Sequence, residues 1–217
     1  MAYRASPLRI DRDQALRQRI LACALRRVGA GGFVALTMQA LAEDVGIATG
    51  SLYRHFRGKG ELAAEVFAIA SQHEVDALAR VLRAPGSPAA RLADGVRQFA
   101  GRAWHSRRLA FALIAEPVEP EVDEQRLLYR VAYAELFAEL LGEGVAGGDF
   151  HIDQINLIAA CLVGAIAEAL VGPLSPQARA AREAGRPSLD LDAVSHSLIS
   201  FCLRAVGVPL LDEEPQS

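Results

Sequence analysis

The sequence predicts an all-α fold of eight or nine helices. Apolar residues recur at three- and four-residue spacing along most of the 217-residue chain. Glycine and proline interrupt this pattern, and no segment alternates apolar and polar residues for long enough to form a strand. Hydrophobic residues make up 52% of the chain and charged residues 23%, which excludes a mainly disordered protein.

Four helices are predicted in the N-terminal part of the chain. They are residues 11–28, 38–45, 49–56 and 61–82. Thr37 is expected to cap the second of them, because its hydroxyl can accept a hydrogen bond from a free amide at the helix start. Gly46 is expected to end that helix, and glycines after Val28 end the first one.

The rest of the chain predicts further helices, separated by glycine- and proline-containing segments. They are residues 89–107, 109–115, 121–141, 153–171 and 189–206. Residues 142–148 are predicted as a turn and residues 172–188 as a polar loop. The acidic tail after Pro209 is predicted to be mobile.

Charge is divided unevenly along the chain. Residues 1–60 contain ten Lys or Arg and four Asp or Glu, a net charge of +6, whereas residues 61–217 carry −9. A basic segment joined to an acidic body is typical of a polyanion-binding domain attached to a second domain, so two domains are predicted at this boundary. Chance crowding of arginines on a solvated first helix is the alternative.

The segment most informative about function is residues 37–62, TMQALAEDVGIATGSLYRHFRGKGEL. Two short helices joined by a tight turn have the layout of a helix-turn-helix, whose second helix lies in the DNA major groove. The inward face is predicted to be Leu41, Ala42, Val45, Ile47, Leu52 and Phe56. The outward residues are short hydrogen-bonding groups near the helix start, which suit base edges, followed by an aromatic ring and an imidazole.

Lys59 is the only lysine in the chain, and it lies where the fourth helix is predicted to begin. A cation at that end opposes the helix dipole. Its position is better explained if an anion binds there, shared between the ammonium group and free backbone amides. An ordinary surface lysine is the alternative.

The run from Thr37 to Leu62, with the helix before it, resembles the DNA-binding domain of TetR/AcrR-family transcriptional regulators over about residues 12–66. The resemblance implies two groups of DNA-binding residues. Those implied to contact phosphates are Thr37, Tyr53, His55 and Lys59. Those implied to face bases or the adjoining backbone are Thr49, Gly50 and Ser51. Ala48 departs from the family pattern, because members often have a Ser or Thr cap there, and a basic arm containing Arg4 and Arg9 is a further candidate for DNA contact.

The resemblance also implies that the C-terminal helices form a homodimer and enclose a small effector. Aromatic residues predict the effector pocket, namely Phe99, Trp104, Phe111, Tyr129, Tyr133 and Phe137. His105 and Glu116 are candidates for polar groups there, although an isolated His or Glu is more often a surface or capping group. Plain core packing is the alternative for each aromatic residue.

Two apolar stripes near the end of the chain are candidates for the dimer interface. They are Ile155, Ala159, Leu162, Ile166 and Leu170 on one helix, and Val194, Leu198, Phe201 and Ala205 on the last. The alternative is that both stripes belong to the core of one protomer.

Signals for enzymes, metals and membranes are weak. The G-x-G-x-x-G match at residues 142–147 does not follow a strand, and His73-Glu74 lacks a second histidine because residue 77 is Ala. No cofactor or metal site is expected, and Cys23, Cys161 and Cys202 are interpreted as buried thiols of a cytoplasmic protein. The longest unbroken apolar run, residues 157–167, has eleven residues, so no transmembrane span is expected.

The sequence thus predicts a cytoplasmic, homodimeric, ligand-responsive transcriptional regulator. A repressor released from a palindromic operator by a small apolar or amphipathic effector is the favoured form. A helical protein-interaction module and a small helical enzyme using the aromatic pocket are the alternatives.

Overall fold

The computed structural model describes residues 7–208, with side chains from residue 11 onward. Within that range the chain has no strand and forms ten α-helices and a 3₁₀ turn at Phe33–Ala35. The helices are α1 (Pro7–Gly31), α2 (Met38–Val45), α3 (Thr49–Leu52), α4 (Lys59–Leu82), α5 (Pro88–His105), α6 (Arg107–Ile114), α7 (Pro120–Gly147), α8 (Ile155–Leu174), α9 (Pro176–Glu183) and α10 (Leu191–Ala205). The all-α fold class is confirmed, but the expected number of eight or nine helices is too low. The tail after Pro209 lies outside the described residues.

The tenth helix is α9, which forms where a polar loop was predicted. Ser175 caps it, since its Oγ accepts a hydrogen bond from the Ala178 amide at 3.1 Å, and Pro176 occupies the first helical position. No residue of α9 is buried. Apart from Pro176, its sequence PQARAARE has no apolar side chain larger than alanine, so the large apolar residues used to predict helices are missing from it.

Three other helices differ clearly from their predicted lengths. α1 runs from Pro7 to Gly31 and so extends beyond the predicted residues 11–28 at both ends. α7 continues through the segment predicted as a turn, so the G-x-G-x-x-G match lies inside a helix and the turn comes only at Gly148. α3 ends at Leu52 instead of near Phe56. It lacks a side-chain cap at Ala48 and contains Gly50, both of which weaken a short helix.

Two hydrophobic clusters form the core, and α4 contributes to both. Its first half, including Phe67, packs with α1–α3, whereas Leu78 and Leu82 pack among α5, α7, α8 and α10. We call α1–α3 the head and α5–α10 the body. α4, the helix that joins the two, begins at Lys59, and the domain boundary at residue 60 stays a prediction.

Polar contacts also join head and body. The Glu116 carboxylate, in the segment between α6 and α7, accepts hydrogen bonds from the amides of Phe33 at 2.9 Å and Val34 at 3.1 Å. Arg108 of α6 donates to the carbonyl of Ala30 near the end of α1. Glu116 is thus a capping group for the 3₁₀ turn, as one alternative from the sequence had it.

α8 is long and apolar enough to cross a membrane by length and composition, with a mean hydropathy of 2.1 in its best window. The sequence prediction that the chain has no transmembrane span considered only unbroken apolar runs and did not consider the mean hydropathy of α8. One such helix is weak evidence for a span, because core helices of soluble proteins meet the same criterion. In this fold α8 packs against α6, α7 and α10.

Candidate nucleic-acid interface and ligand cavity

Local hydrogen bonds fix the geometry of the two-helix unit formed by α2 and α3. Thr37 Oγ1 accepts from the Ala40 amide at 3.2 Å, as the sequence predicted. At the other end Gly46 adopts a left-handed conformation, with φ 74° and ψ 40°, and the Ile47 amide donates back to Ala42 at 3.0 Å. This αL cap turns the chain sharply into α3.

The predicted inward and outward positions of α3 and of the turn that follows it are observed. Leu52 and Phe56 are buried against the head, whereas Tyr53 has 54% of its surface exposed. Ser51 accepts a hydrogen bond from Arg54 at 3.2 Å, which holds that guanidinium beside the helix start. The remaining outward residues, Thr49, Gly50 and His55, are exposed or half-buried.

Lys59 lies at the first position of α4 but forms an ion pair within the protein. Its Nζ is 2.7 Å from Oε1 of Glu119, the residue that precedes α7. Burial is the largest single influence on the pKa of Glu119 and raises it. The hydrogen bond and the charge of Lys59, together with a backbone hydrogen bond, outweigh burial and lower that pKa below its ordinary value. The sequence did not predict this partner, which lies sixty residues away.

Several arginines of the head are engaged internally. Arg17 forms an ion pair with Glu65 of α4, and Arg27 pairs with Asp44 of α2 at 2.8 Å. Asp44 is already counted in the +6 of residues 1–60, but Glu65 and Glu119 lie outside that segment. The +6 therefore overstates the charge available to a polyanion. Arg4 and the side chain of Arg9 lie outside the described residues.

A cavity lies in the body between α4, α5, α6, α7 and α8. Its free volume is about 100 Å³. Its apolar wall includes Phe67, Leu78, Phe99, Leu109, Leu113, Tyr129, Tyr133, Phe137, Val163 and Ile166. Phe67 also belongs to the core of the head, so this side chain joins the cavity to the head.

Four of the six predicted pocket aromatics line this cavity: Phe99, Tyr129, Tyr133 and Phe137. Trp104 and Phe111 do not, because Trp104 lies beneath two arginines and Phe111 packs on the body core. Neither His105 nor Glu116 lines the cavity. His105 is instead bound through Nδ1 to the Gly101 carbonyl at 2.6 Å.

The charged groups of the cavity were missed from the sequence. Glu74 of α4 forms a two-pronged ion pair with Arg102 of α5 at 2.6 and 2.7 Å, and this contact raises the pKa of Arg102. Burial strongly raises the pKa of the Tyr133 phenol, which therefore stays neutral. One feature of the sequence could have indicated a polar group in the cavity. The three- and four-residue spacing of Phe67, Ser71, Glu74 and Leu78 places polar residues on an apolar stripe of α4.

Most residues of the predicted dimer stripes face the core of the protomer itself. Ala159, Leu162, Ile166 and Leu170 of α8 are buried, as are Val194 and Leu198 of α10. Phe201, a member of the predicted α10 stripe, is exposed instead. A different apolar face of α8 is also exposed, and it consists of Leu157, Ala160, Cys161 and Gly164. The expectation of a buried Cys161 is therefore wrong for the protomer, whereas Cys23 and Cys202 are buried.

The head matches the family model of bacterial regulatory proteins of the tetR family over residues 20–66. The whole fold is similar to FadR from Bacillus subtilis in complex with stearoyl-CoA, with a TM-score of 0.70, 16% identity, and coverage of 87% of this chain and 98% of that one. It is also similar to FadR from Bacillus halodurans, with a TM-score of 0.69, 18% identity, and coverage of 93% and 97%.

Reduced NemR from E. coli is similar as well, with a TM-score of 0.69, 15% identity, and coverage of 90% of this chain and all of that one. No curated protein sequence is significantly similar to the chain. The matched residues contain both helices of the two-helix unit and its αL turn. Residues 20–66 are thus a helix-turn-helix domain of the tetR family of bacterial regulatory proteins, and the described chain has the fold of that family's transcriptional regulators.

Proposed function

We propose that the chain is a homodimeric repressor that binds a palindromic operator through α3 and releases it when a small apolar or amphipathic ligand enters the body cavity. The observation that carries this proposal is the outward face of α3, presented by a capped two-helix unit of the tetR type. The ligand-binding part draws support from the cavity and from the FadR structure that holds stearoyl-CoA.

The proposed DNA contacts divide into two kinds. Thr49 and Ser51 lie at the start of α3, where side chains of a recognition helix reach base edges. Thr37, Tyr53 and His55 contact phosphates; the Thr37 hydroxyl accepts from an amide in the cap, and its proton remains free to be donated. Lys59 exchanges its partner, Glu119, for a phosphate when DNA binds.

The proposed dimer interface is the exposed apolar face of α8 and α10. Small residues at Ala160 and Gly164 allow two helices to approach closely, and Leu157 and Phe201 are 61% and 52% exposed in the protomer. Pairing this face with its symmetry mate removes that apolar surface from water. Two heads held in this way read half-sites one helical turn apart, roughly 34–36 Å.

Ligand release is proposed to act through α4. The cavity of about 100 Å³ is smaller than the ~150 Å³ that accommodates benzene, so a larger ligand must displace wall residues. Phe67 is such a residue, and its movement disturbs the core of the head. The ligand shifts the equilibrium only if it binds the state that cannot hold DNA more tightly.

The first experiment is a titration of fluorescent duplexes from the region upstream of the gene, followed by anisotropy at several salt concentrations. Binding should weaken as salt rises, because phosphate neutralisation releases counterions. Lys59→Ala should weaken binding to all duplexes alike and reduce the salt slope by about 2 per dimer, roughly one for each head. Changes at Thr49 or Ser51 should alter sequence preference.

Glu119→Ala is the matched control, because it breaks the same ion pair while leaving the lysine free. It should preserve or raise DNA affinity, whereas an equal loss in both variants would mean that the pair only stabilises the fold. Binding to an acidic protein in place of DNA would favour the interaction module. DNA affinity unchanged by every ligand that fills the cavity would refute the release mechanism.

A further inference from the structure

A basic cleft lies where α5 meets α6, beside α9 and the end of α1. Its walls are Gly29, His105, Ser106, Arg107, Arg108, Arg179, Arg182 and Glu183. Four arginines and one glutamate give it a formal charge of +3 with neutral histidine. The body as a whole is acidic, so this concentration of positive charge is local.

The arginines of the cleft lack the carboxylate partners found elsewhere in the body. Arg83, Arg91 and Arg102 each pair with a glutamate on another helix. Among the described residues, no carboxylate lies within ion-pair distance of three of the four cleft arginines. The fourth, Arg179, has only a loose contact of 3.8 Å with Glu183.

Arg107 and Arg182 both lie over one aromatic ring. Their guanidinium carbons lie 4.7 and 5.4 Å from the centre of the Trp104 ring. Nε of Arg107 and Nη2 of Arg182 are buried, and neither has a hydrogen-bond partner within residues 7–208. Like charges and unsatisfied donors in this arrangement are unfavourable unless an acceptor of opposite charge joins them.

The first turn of α6 adds backbone donors to the same cleft. Ser106 precedes this eight-residue helix, and no side chain caps its start. The first amides of a helix have no partner within it, and the helix dipole favours an anion there. Guanidinium groups and free amides therefore meet at one end of α6.

We propose that this cleft binds a phosphate-bearing ligand, through a phosphate ester or pyrophosphate group. A charge of +3 matches a di- or trianion better than a monovalent carboxylate, and planar guanidinium forks bind phosphate oxygens in pairs. Arg108 donates to the Ala30 carbonyl of α1, so the site lies against the head. Ser106 lines both this cleft and the apolar cavity, so an amphipathic ligand can occupy both, and that extension rests on the proposed function.

Trp104 is the only tryptophan in the chain, which makes its fluorescence a reporter for this cleft. The full-length protein is titrated with sodium pyrophosphate at constant ionic strength, with chloride as the reference salt, and calorimetry measures the same binding. We expect a saturable change in emission with pyrophosphate and none with chloride. An identical response to both salts would overturn the proposal.

Arg182→Gln and Arg179→Gln should each weaken pyrophosphate binding at least tenfold. The Arg179 side chain makes no hydrogen bond to the backbone in the described structure, so its variant tests the site without removing a structural contact such as Arg182 Nη1 to Pro173. Arg97→Gln, at an exposed ion pair with Asp94 on α5, is the control and should bind as the wild type does.

DNA binding is measured in parallel, without pyrophosphate, to separate this proposal from the previous one. A wild-type protein that binds pyrophosphate but no DNA would leave the cleft proposal standing and refute the regulator. If pyrophosphate does not bind and Arg179→Gln lowers the salt slope of DNA binding, the cleft contacts the DNA backbone and the ligand proposal is wrong.

Discussion

Replacing Glu116 by alanine tests whether the body holds the head through a single carboxylate. The charge-assisted hydrogen bond to the partly buried Phe33 amide is the larger contribution, because the exposed Val34 amide can be rehydrated after the substitution. Leaving one partly buried amide without a partner costs about 1–3 kcal/mol. A loss of about 2 kcal/mol corresponds to a fall in Tm of roughly 4–8 °C for a chain of this length.

The close fit of the turn around the Glu116 carboxylate supports an expected loss of about 2 kcal/mol. Gly32 has φ 78°, and a Cβ added there would lie 2.5 Å from Oε2 of Glu116, so the turn is shaped to admit the carboxylate. Differential scanning calorimetry at fixed protein concentration measures Tm, and hydrogen exchange of the Phe33 and Val34 amides locates the change.

Glu124→Ala is the matched control, because Glu124 is exposed on α7 and makes no ion pair within the described residues. Glu116→Gln should lose less than Glu116→Ala, since its amide oxygen can still accept one of the two bonds. If Glu116→Ala melts within 1 °C of Glu124→Ala and the two amides keep their protection, the carboxylate does not hold the head. These thresholds follow from the same roughly 2–4 °C per kcal/mol.

Three further predictions follow from particular contacts. Gly144→Ala should lower stability by about 1–3 kcal/mol in urea unfolding, because its Cβ would overlap the Phe150 ring. Gly142→Ala, whose Cβ would have nothing within 4 Å, should raise stability by up to about 1 kcal/mol, and equal effects of the two changes would contradict the packing. The pKa of Glu119 is lowered in the folded protein, so this carboxylate stabilises the fold above its ordinary pKa of 4.5. The stabilisation is lost as pH falls through the lower pKa of the folded state. The Tm of Glu119→Gln should therefore fall less between pH 5 and pH 3 than the Tm of the wild type. Cys202 is buried, and burial raises the pKa of its thiol to about 12, so a thiol reagent should modify it only after unfolding. Cys161 is exposed, so it should react in the native protomer and be protected if α8 pairs in a dimer.

The sequence by itself determined the features that depend on near neighbours. Thr37 caps α2 and Gly46 ends it through hydrogen bonds that span three to five residues, so residue type and spacing were sufficient to predict them. The same holds for Leu52 and Phe56, whose four-residue spacing predicted that both are buried. The helix ends at Leu52, but the turn after it keeps Phe56 on the same side, with its amide donating to the Leu52 carbonyl at 3.0 Å. This local chemistry is also what carries the resemblance to the tetR family.

The tertiary structure alone decided which distant groups meet. Lys59 pairs with Glu119, and the Glu116 carboxylate accepts a hydrogen bond from the Phe33 amide 83 positions away, because α6 and α7 pack against the head. Periodicity identified α8 as an apolar helix but could not tell which of its faces its own protomer covers, since an apolar residue packs equally well against any apolar neighbour. Partner choice depends on how whole helices pack, and spacing along one helix does not encode it.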